Sequence, residues 1–301
     1  MAITTTVQLL KKPLQFLAET TEGTTPGAGT ATVCPPVKSI SIKKDGNYVD
    51  VAQVGPEDLA KLVQGEQSFE SSVTFYASST STDEAFFQRA IQAANFGTPA
   101  GTISETFSMW FTFYLNGTTE NIVIFKGTRS KNVSIKGAVG KPHEITIDFV
   151  HTNITKPVAG STPAGVTSVT TFNAGTIHDW LSGGVSPVAV IGSTLDCVEF
   201  NCTINRNTSA DYVLGTVTPF SSQSHGRRIS GDLKNLYTVV TQEGNYDTPT
   251  TGTITFVLST GVSTLTVSTS SIITVSRDYG ADDTEATVEQ LGYKGLSCTY
   301  A

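Results

Sequence analysis

Trp110-Phe111-Thr112-Phe113-Tyr114-Leu115-Asn116-Gly117 and Thr253-Ile254-Thr255-Phe256-Val257-Leu258-Ser259-Thr260-Gly261 decide the reading of this chain. Each is a run of bulky β-formers that closes on turn residues, the outline of a hairpin start. They hold corresponding places in a β-rich pattern that occurs twice, from about Lys38 to Ile154 and from about Thr194 to Ala301. After the first come Lys131-Asn132-Val133-Ser134-Ile135 and Glu144-Ile145-Thr146-Ile147-Asp148-Phe149; after the second come Ser271-Ile272-Ile273-Thr274-Val275 and Glu285-Ala286-Thr287-Val288-Glu289. Upstream, Val63 to Val73 lies over Ser224 to Leu233 with few identities. A duplicated β-unit is the expectation, against the alternative that Thr- and Ser-rich strands resemble one another by accident.

The composition agrees. Of 301 residues only 15% are charged, and the abundance of Thr, Ser, Val and Gly suits strands and turns better than long solvated helices. A length of 301 residues is enough for two ordinary cores without staples. The net charge of −7 divides unequally: residues 1–155 carry 12 basic and 14 acidic side chains, residues 156–301 carry 7 and 12. That excludes the basic footprint of a nucleic-acid binder. An acidic surface repels DNA, which matters where DNA must slide past without sticking.

Along the chain, residues 1–37 read as an N-terminal arm: Leu9, Leu10, Leu14, Phe16 and Leu17, then a stretch from Glu19 to Gly27 with too many turn formers for regular structure. Its apolar residues call for a partner surface, for which another subunit is a candidate. Residues 38–155 form the first β domain, 156–190 a linker rich in Pro, Gly, Ser and Thr with a candidate helical turn at Thr176 to Leu181, and 191–301 the second β domain. Asp45-Gly46-Asn47 signals a hairpin turn. Ser81 with Glu84 makes a capping box, predicting a helix through Phe86, Phe87, Ala90, Ile91 and Ala94 to Gly97 that covers one side of a sheet. In the second copy only a short helix around Leu233 to Val240 is expected. The fold class is mainly β, as two tandem barrels or sandwiches, the first flanked by this helix.

No constellation carries chemistry. Gly137-Ala138-Val139-Gly140-Lys141 has two residues between its glycines where a phosphate loop needs four, and Pro142 follows the lysine, so it reads as a turn. Gly27-Ala28-Gly29 lacks the rest of a dinucleotide fingerprint and reads as flexible arm. His143, His151, His178 and His225 form no metal pattern and read as surface or strand-end imidazoles, and Ser41-Ile42-Lys43-Lys44 sits in an alternating strand instead of opening a helix. Cys34, Cys197, Cys202 and Cys298 have no framework spacing and read as free buried thiols. Asp278 to Glu285 concentrates carboxylates without the spacing of a calcium loop, a solvated hairpin tip. The five Asn-x-Ser/Thr sequons at Asn116, Asn132, Asn153, Asn201 and Asn207 are what a Thr-rich chain yields by chance. No signal peptide or apolar run of membrane-spanning length is visible. The expectation is a non-enzyme with no catalytic, metal or cofactor-binding residues and no cofactor.

Leu17-Ala18-Glu19-Thr20-Thr21-Glu22-Gly23-Thr24-Thr25-Pro26 resembles the Glu-x-Thr-x-Gly-Thr-x-Pro opening of tail tube proteins from tailed bacteriophages and related archaeal viruses, and Gly65 to Tyr76 resembles the same family. The resemblance implies a barrel or sandwich with a flanking helix that oligomerises into rings, stacked as the channel for genome delivery. Six-fold rings of single domains become, for a duplicated chain, rings of three with pseudo-six-fold symmetry. It also implies self-association as the activity, contacts between rings through the arm and the loops around Asp50 to Gln64, and the tail terminator, baseplate, tape measure and sheath proteins as partners. DNA passes through the lumen without specific binding, no membrane is involved, and the protein resides in the virion tail after assembly in the host cytoplasm. The competing reading is a two-domain β-sandwich adhesin or carbohydrate-binding module.

Overall fold

The computed structural model describes residues 8–9, 12–52, 59–78, 86–87, 90–91, 106–115, 119–160, 162–172, 177, 188–191, 193–224, 226–236, 250–259, 263–278 and 288–300. Most of these lie in strands. The main strands of the first half are β1 (Gln15–Ala18), β2 (Val37–Ala52), β3 (Leu59–Tyr76), β4 (Phe107–Leu115), β5 (Thr119–Ala138) and β6 (Glu144–Val150). Those of the second are β7 (Val188–Val190), β8 (Cys197–Asn205), β9 (Thr208–Asp211), β10 (Ser221–Ser224), β11 (Arg228–Leu236), β12 (Thr250–Ser259), β13 (Ser263–Asp278) and β14 (Val288–Tyr300).

Antiparallel pairing gives the order β2-β3-β6-β5-β4 in the first half. In the second it gives β8-β11-β14-β13-β12, with β7 beyond β12. The two runs are joined, because Asn132 to Ala138 of β5 pair antiparallel with Glu199 to Asn205 of β8. One sheet therefore passes through both halves without an edge at their boundary.

The core follows from strand alternation. In β6, Ile145, Ile147 and Phe149 are buried while Glu144, Thr146 and Asp148 point the other way. β5 is long enough to serve two layers: residues 119–128 pair with β4, and Arg129 to Lys136 pair with β6. The corner holds Gly127 at φ +56, where a Cβ would run into Thr152, so only glycine fits without strain. Folding β4 over β3 and β6 in this way closes an aromatic core, with Phe107 edge-on to Phe149 at 5.9 Å and Phe16 edge-on to Phe86 at 5.1 Å. The same cluster continues into the second half through Phe200, Phe256 and Leu291.

Several sequence expectations need correction. Asp45-Gly46-Asn47 is no hairpin tip; β2 runs straight through it, and the register slips between Gly46 opposite Gln67 and Tyr48 opposite Gln64, so the extra residue is in β3, where Gly65 and Glu66 stand opposite Asn47 as a bulge. Leu233 to Leu236 lie in β11 instead of a helix, since Leu233 and Asn235 are buried at period two; residues 237–240 lie outside the described residues. Of the expected helix at Glu84 to Asn95, Phe86, Phe87, Ala90 and Ile91 are described, helical and buried, and no complete flanking helix is present among the described residues. The candidate helical turn at Thr176 to Leu181 falls outside them apart from Ile177, which bridges to Ser78. From the expected linker, Val158–Ala159 pair with β5 and Val166–Thr167 pair with Gly29–Thr30. The stretch Gly27 to Gly29 is thus tied down instead of free.

Of the surface and strand-end alternatives for the histidines, the two described ones stand at strand ends, flanking β6. His143 and His151 are fully buried, while His178 and His225 lie outside the described residues. His151 sits between Ser71 Oγ, 2.8 Å from Nε2, and Thr128 Oγ1, 3.0 Å from Nδ1. Burial pushes its pKa down to about 3. Since the folded value lies below the unfolded one, its stability contribution is complete above pH 6.5 and is lost as pH falls toward 3. Urea unfolding at pH 5 should therefore give about 2 kcal/mol less stability than at pH 7.5 from this residue. A His151→Gln variant should lose that increment of pH dependence.

Candidate functional site

Among the described residues no group of three or more His, Cys, Asp or Glu could hold a metal, and no helix is long and apolar enough to cross a membrane. The turn read from Gly137 to Lys141 is one, closed by the Lys141 N–H donating to the Ala138 carbonyl at 3.1 Å. Ser41 to Lys44 lie in β2. All four cysteines are free and buried, and burial pushes the Cys197 and Cys202 thiols up to about 12, which makes them poor nucleophiles. Asp278 ends β13 opposite Val288, and Tyr279 to Glu285 lie outside the described residues. Two surfaces remain with the character of sites: the N-terminal turn and the sheet margins.

The N-terminal turn is built by two carboxylates. Glu19 is buried; its Oε1 accepts from the Ser108 hydroxyl at 2.6 Å and the Gly127 N–H at 2.9 Å, and its Oε2 from the Gly23 N–H at 2.9 Å. Gly23, at φ +74, turns its backbone against Thr152. Glu22 pairs with Arg129 at 3.3 Å and accepts from the N–H and hydroxyl of Ser222 in β10 at 2.7 and 3.0 Å. The spacing Glu-x-x-Glu-Gly thus clamps the chain's start to both halves. Upstream, β1 pairs with β4, Leu14 and Phe16 join the core, and Gln8–Leu9 pair with Tyr114 and Phe113. The expectation of a loose arm is overturned for these residues: their partners lie in the same chain.

The margins are unequal to the interior. Among the described residues β2 pairs on one edge only, with β3, and Ile273 to Asp278 of β13 pair only with β14. Each leaves a row of backbone donors and acceptors without a ladder partner in the described fold, a template for another chain. The face of the continuous sheet turned away from the core is rich in hydroxyls and amides: Ser72, Thr146, Ser134, Asn201, Thr203 and Ser230. Asp148 on it accepts from Ser72 at 2.6 Å, and Glu70 pairs with Lys131 at 2.8 Å. A polar hollow of about 370 Å³ opens there beside Lys43, Glu70, Lys131, Asp148 and Asn205.

The profile of one protein family, described as phage tail tube protein, matches residues 11–295. No curated protein matches the chain.

Proposed function

From the premise that this chain belongs to the phage tail tube family, we propose that it is a duplicated tube subunit whose rings of three chains stack into the channel for genome delivery. The observation that carries the reading is the seam between β5 and β8. Both halves have one strand order, and the seam is a finished example of one half accepting the next. The second-half counterpart of the β5 segment is Ile273 to Asp278, and the first-half counterpart of β8 is β2. Both segments have an open edge among the described residues. A heterologous contact repeated by rotation closes a ring.

The register carries over. Phe200 stands in the row Phe200, Leu233, Leu291, Thr274, and Ile40 in the row Ile40, Val73, Ile147, Val133. Within the chain, Cys202 faces Ile135; with the bulge between Thr274 and Ser276 counted, the counterpart of Ile135 is Arg277, so between chains Ile42 faces Arg277. The domain reading follows the same line: residues 38–155 and 191–301 as tube units, with 156–190 between them and 1–37 clamped across.

In this arrangement the polar sheet face lines the lumen. Its acids Glu144, Asp148, Glu199 and Asp232 keep DNA from binding, so lysines at 199 and 232 should slow genome ejection; unchanged ejection removes that part. The tail terminator, baseplate, tape measure and sheath proteins are the expected neighbours, in the virion tail after cytoplasmic assembly. The adhesin alternative is not favoured by the family match. Native mass spectrometry of the purified chain should give three-chain rings, and negative-stain microscopy hollow tubes. A monomer stable at high concentration across salt conditions contradicts the proposal.

A further inference from the structure

The hairpin formed by β9 and β10 ends in a tip without a charged residue, Tyr212 to Phe220, on which Leu214 is fully exposed and Phe220 is 69% exposed. Val213 and Val217 beside them are exposed too. The tip is held firmly. The Tyr212 hydroxyl donates to the Gln67 carbonyl at 2.8 Å, and the Gln67 N–H donates to the Val217 carbonyl at 2.7 Å. At its base the Phe220 N–H donates to the Asp211 carbonyl at 2.8 Å, and Ser222 is held by Glu22. An apolar group presented rigidly to water has paid its ordering entropy in advance, and single-chain proteins seldom expose such clusters.

The counterpart lies at the other end of the same strands. An apolar hollow of about 250 Å³, also without a charged lining residue, is bounded by Pro13, Val33, Pro35, Pro36, Val37 and Phe172, the last 53% exposed. Its floor is tied to the end of β3 by the Tyr76 N–H donating to the Pro36 carbonyl at 2.8 Å. From Gln67, under the tip, to Tyr76, at the hollow, β3 runs for nine residues, about 30 Å of extended strand. Knob and hollow cannot meet within one chain. Between chains they can, and a contact from one end of a molecule to the other end of the next repeats without closing.

We propose that the tip around Leu214 and Phe220 inserts into the Pro36–Phe172 hollow of a second copy in the neighbouring ring, forming the stacking contact. The inference rests on the tube reading, which requires an open, end-to-end contact in addition to the closed lateral one. Both partners are apolar and uncharged, so the contact is insensitive to salt, unlike one made by ion pairs.

The test uses full-length protein with Leu214→Asp and Phe172→Asp, both at exposed positions. Native mass should show wild-type rings in both variants, while microscopy should show tube length reduced at least tenfold. Tubes of wild-type length from either variant overturn the proposal. A second measurement does not depend on disrupting the contact: in a Cys34→Ser background, because Cys34 lines the hollow, Leu214→Cys protein is mixed with Phe172→Cys protein and oxidised after assembly, the other native cysteines being buried. A disulfide joining the two chains is expected; tubes without it overturn the knob and hollow while leaving the tube reading intact. Wild-type protein that makes neither rings nor tubes sinks the tube reading, and this inference with it.

Discussion

Phe200→Ala is expected to lower the free energy of unfolding by about 4 kcal/mol, within the range for removing a buried phenyl ring. Phe200 is 1% exposed, lies 4.7 Å from Phe256 in a stacked pair, and has the His143 ring 5.9 Å away. It faces Gly137 across the seam, where a Cβ on residue 137 would run into both Phe200 and His143. The ring thus fills the space that glycine leaves, and no neighbouring side chain is placed to replace it. Because the seam carries the core from one half to the other, the variant should unfold with a broadened or split urea transition. A loss below about 1 kcal/mol with one sharp transition would contradict the packing described at the seam.

Glu19→Ala is expected to cost about 3 kcal/mol. The carboxylate answers three donors, two of them backbone N–H groups, and alanine would strand the buried Gly127 N–H and the Ser108 hydroxyl. Glu19→Gln should cost less, because Oε1 still accepts from Ser108 and Gly127, but its amide would confront the Gly23 N–H with a second donor. A local consequence should accompany the loss: protease cleavage in residues 12–34 should accelerate, since the turn would open before the core does. Equal stability of Glu19→Ala and wild type in urea would refute the clamp.

The hairpins β4–β5 and β12–β13 were legible because their signals are local. Bulky alternation followed by Asn-Gly or Thr-Gly predicts strands that pair across a short turn, and Leu115 opposite Thr119 and Ser259 opposite Ser263 have that pairing. Asp45-Gly46-Asn47 carries an equally good local signal and misleads, because β2 and β3 pair far beyond it and accommodate it with a bulge in β3. Long-range pairing overrode turn propensity there. The same reason hides the clamp: Glu19 among threonines and glycines reads as loop, and nothing in its neighbourhood points to Ser108 or Gly127. Leu14 and Phe16, for which another subunit was one candidate partner, join this chain's own core, Phe16 against β4 and Phe86. The motif Glu-x-Thr-x-Gly-Thr-x-Pro was nevertheless visible, and the structure gives its physical content in Glu19, Glu22 and Gly23.

The seam had no sequence signature, because a strand edge is a row of backbone groups that any residue except proline supplies. It nonetheless carries most of the functional argument, since it displays inside one chain the contact proposed between chains. Disulfide trapping of that contact is the most direct test. A chain with Ile42→Cys and Arg277→Cys places two thiols at facing positions, where antiparallel Cβ atoms stand about 5 Å apart. Oxidised and run under denaturing, non-reducing conditions, it should give a ladder that stops at three chains. A product that remains a single chain, from assembled protein, would contradict the account.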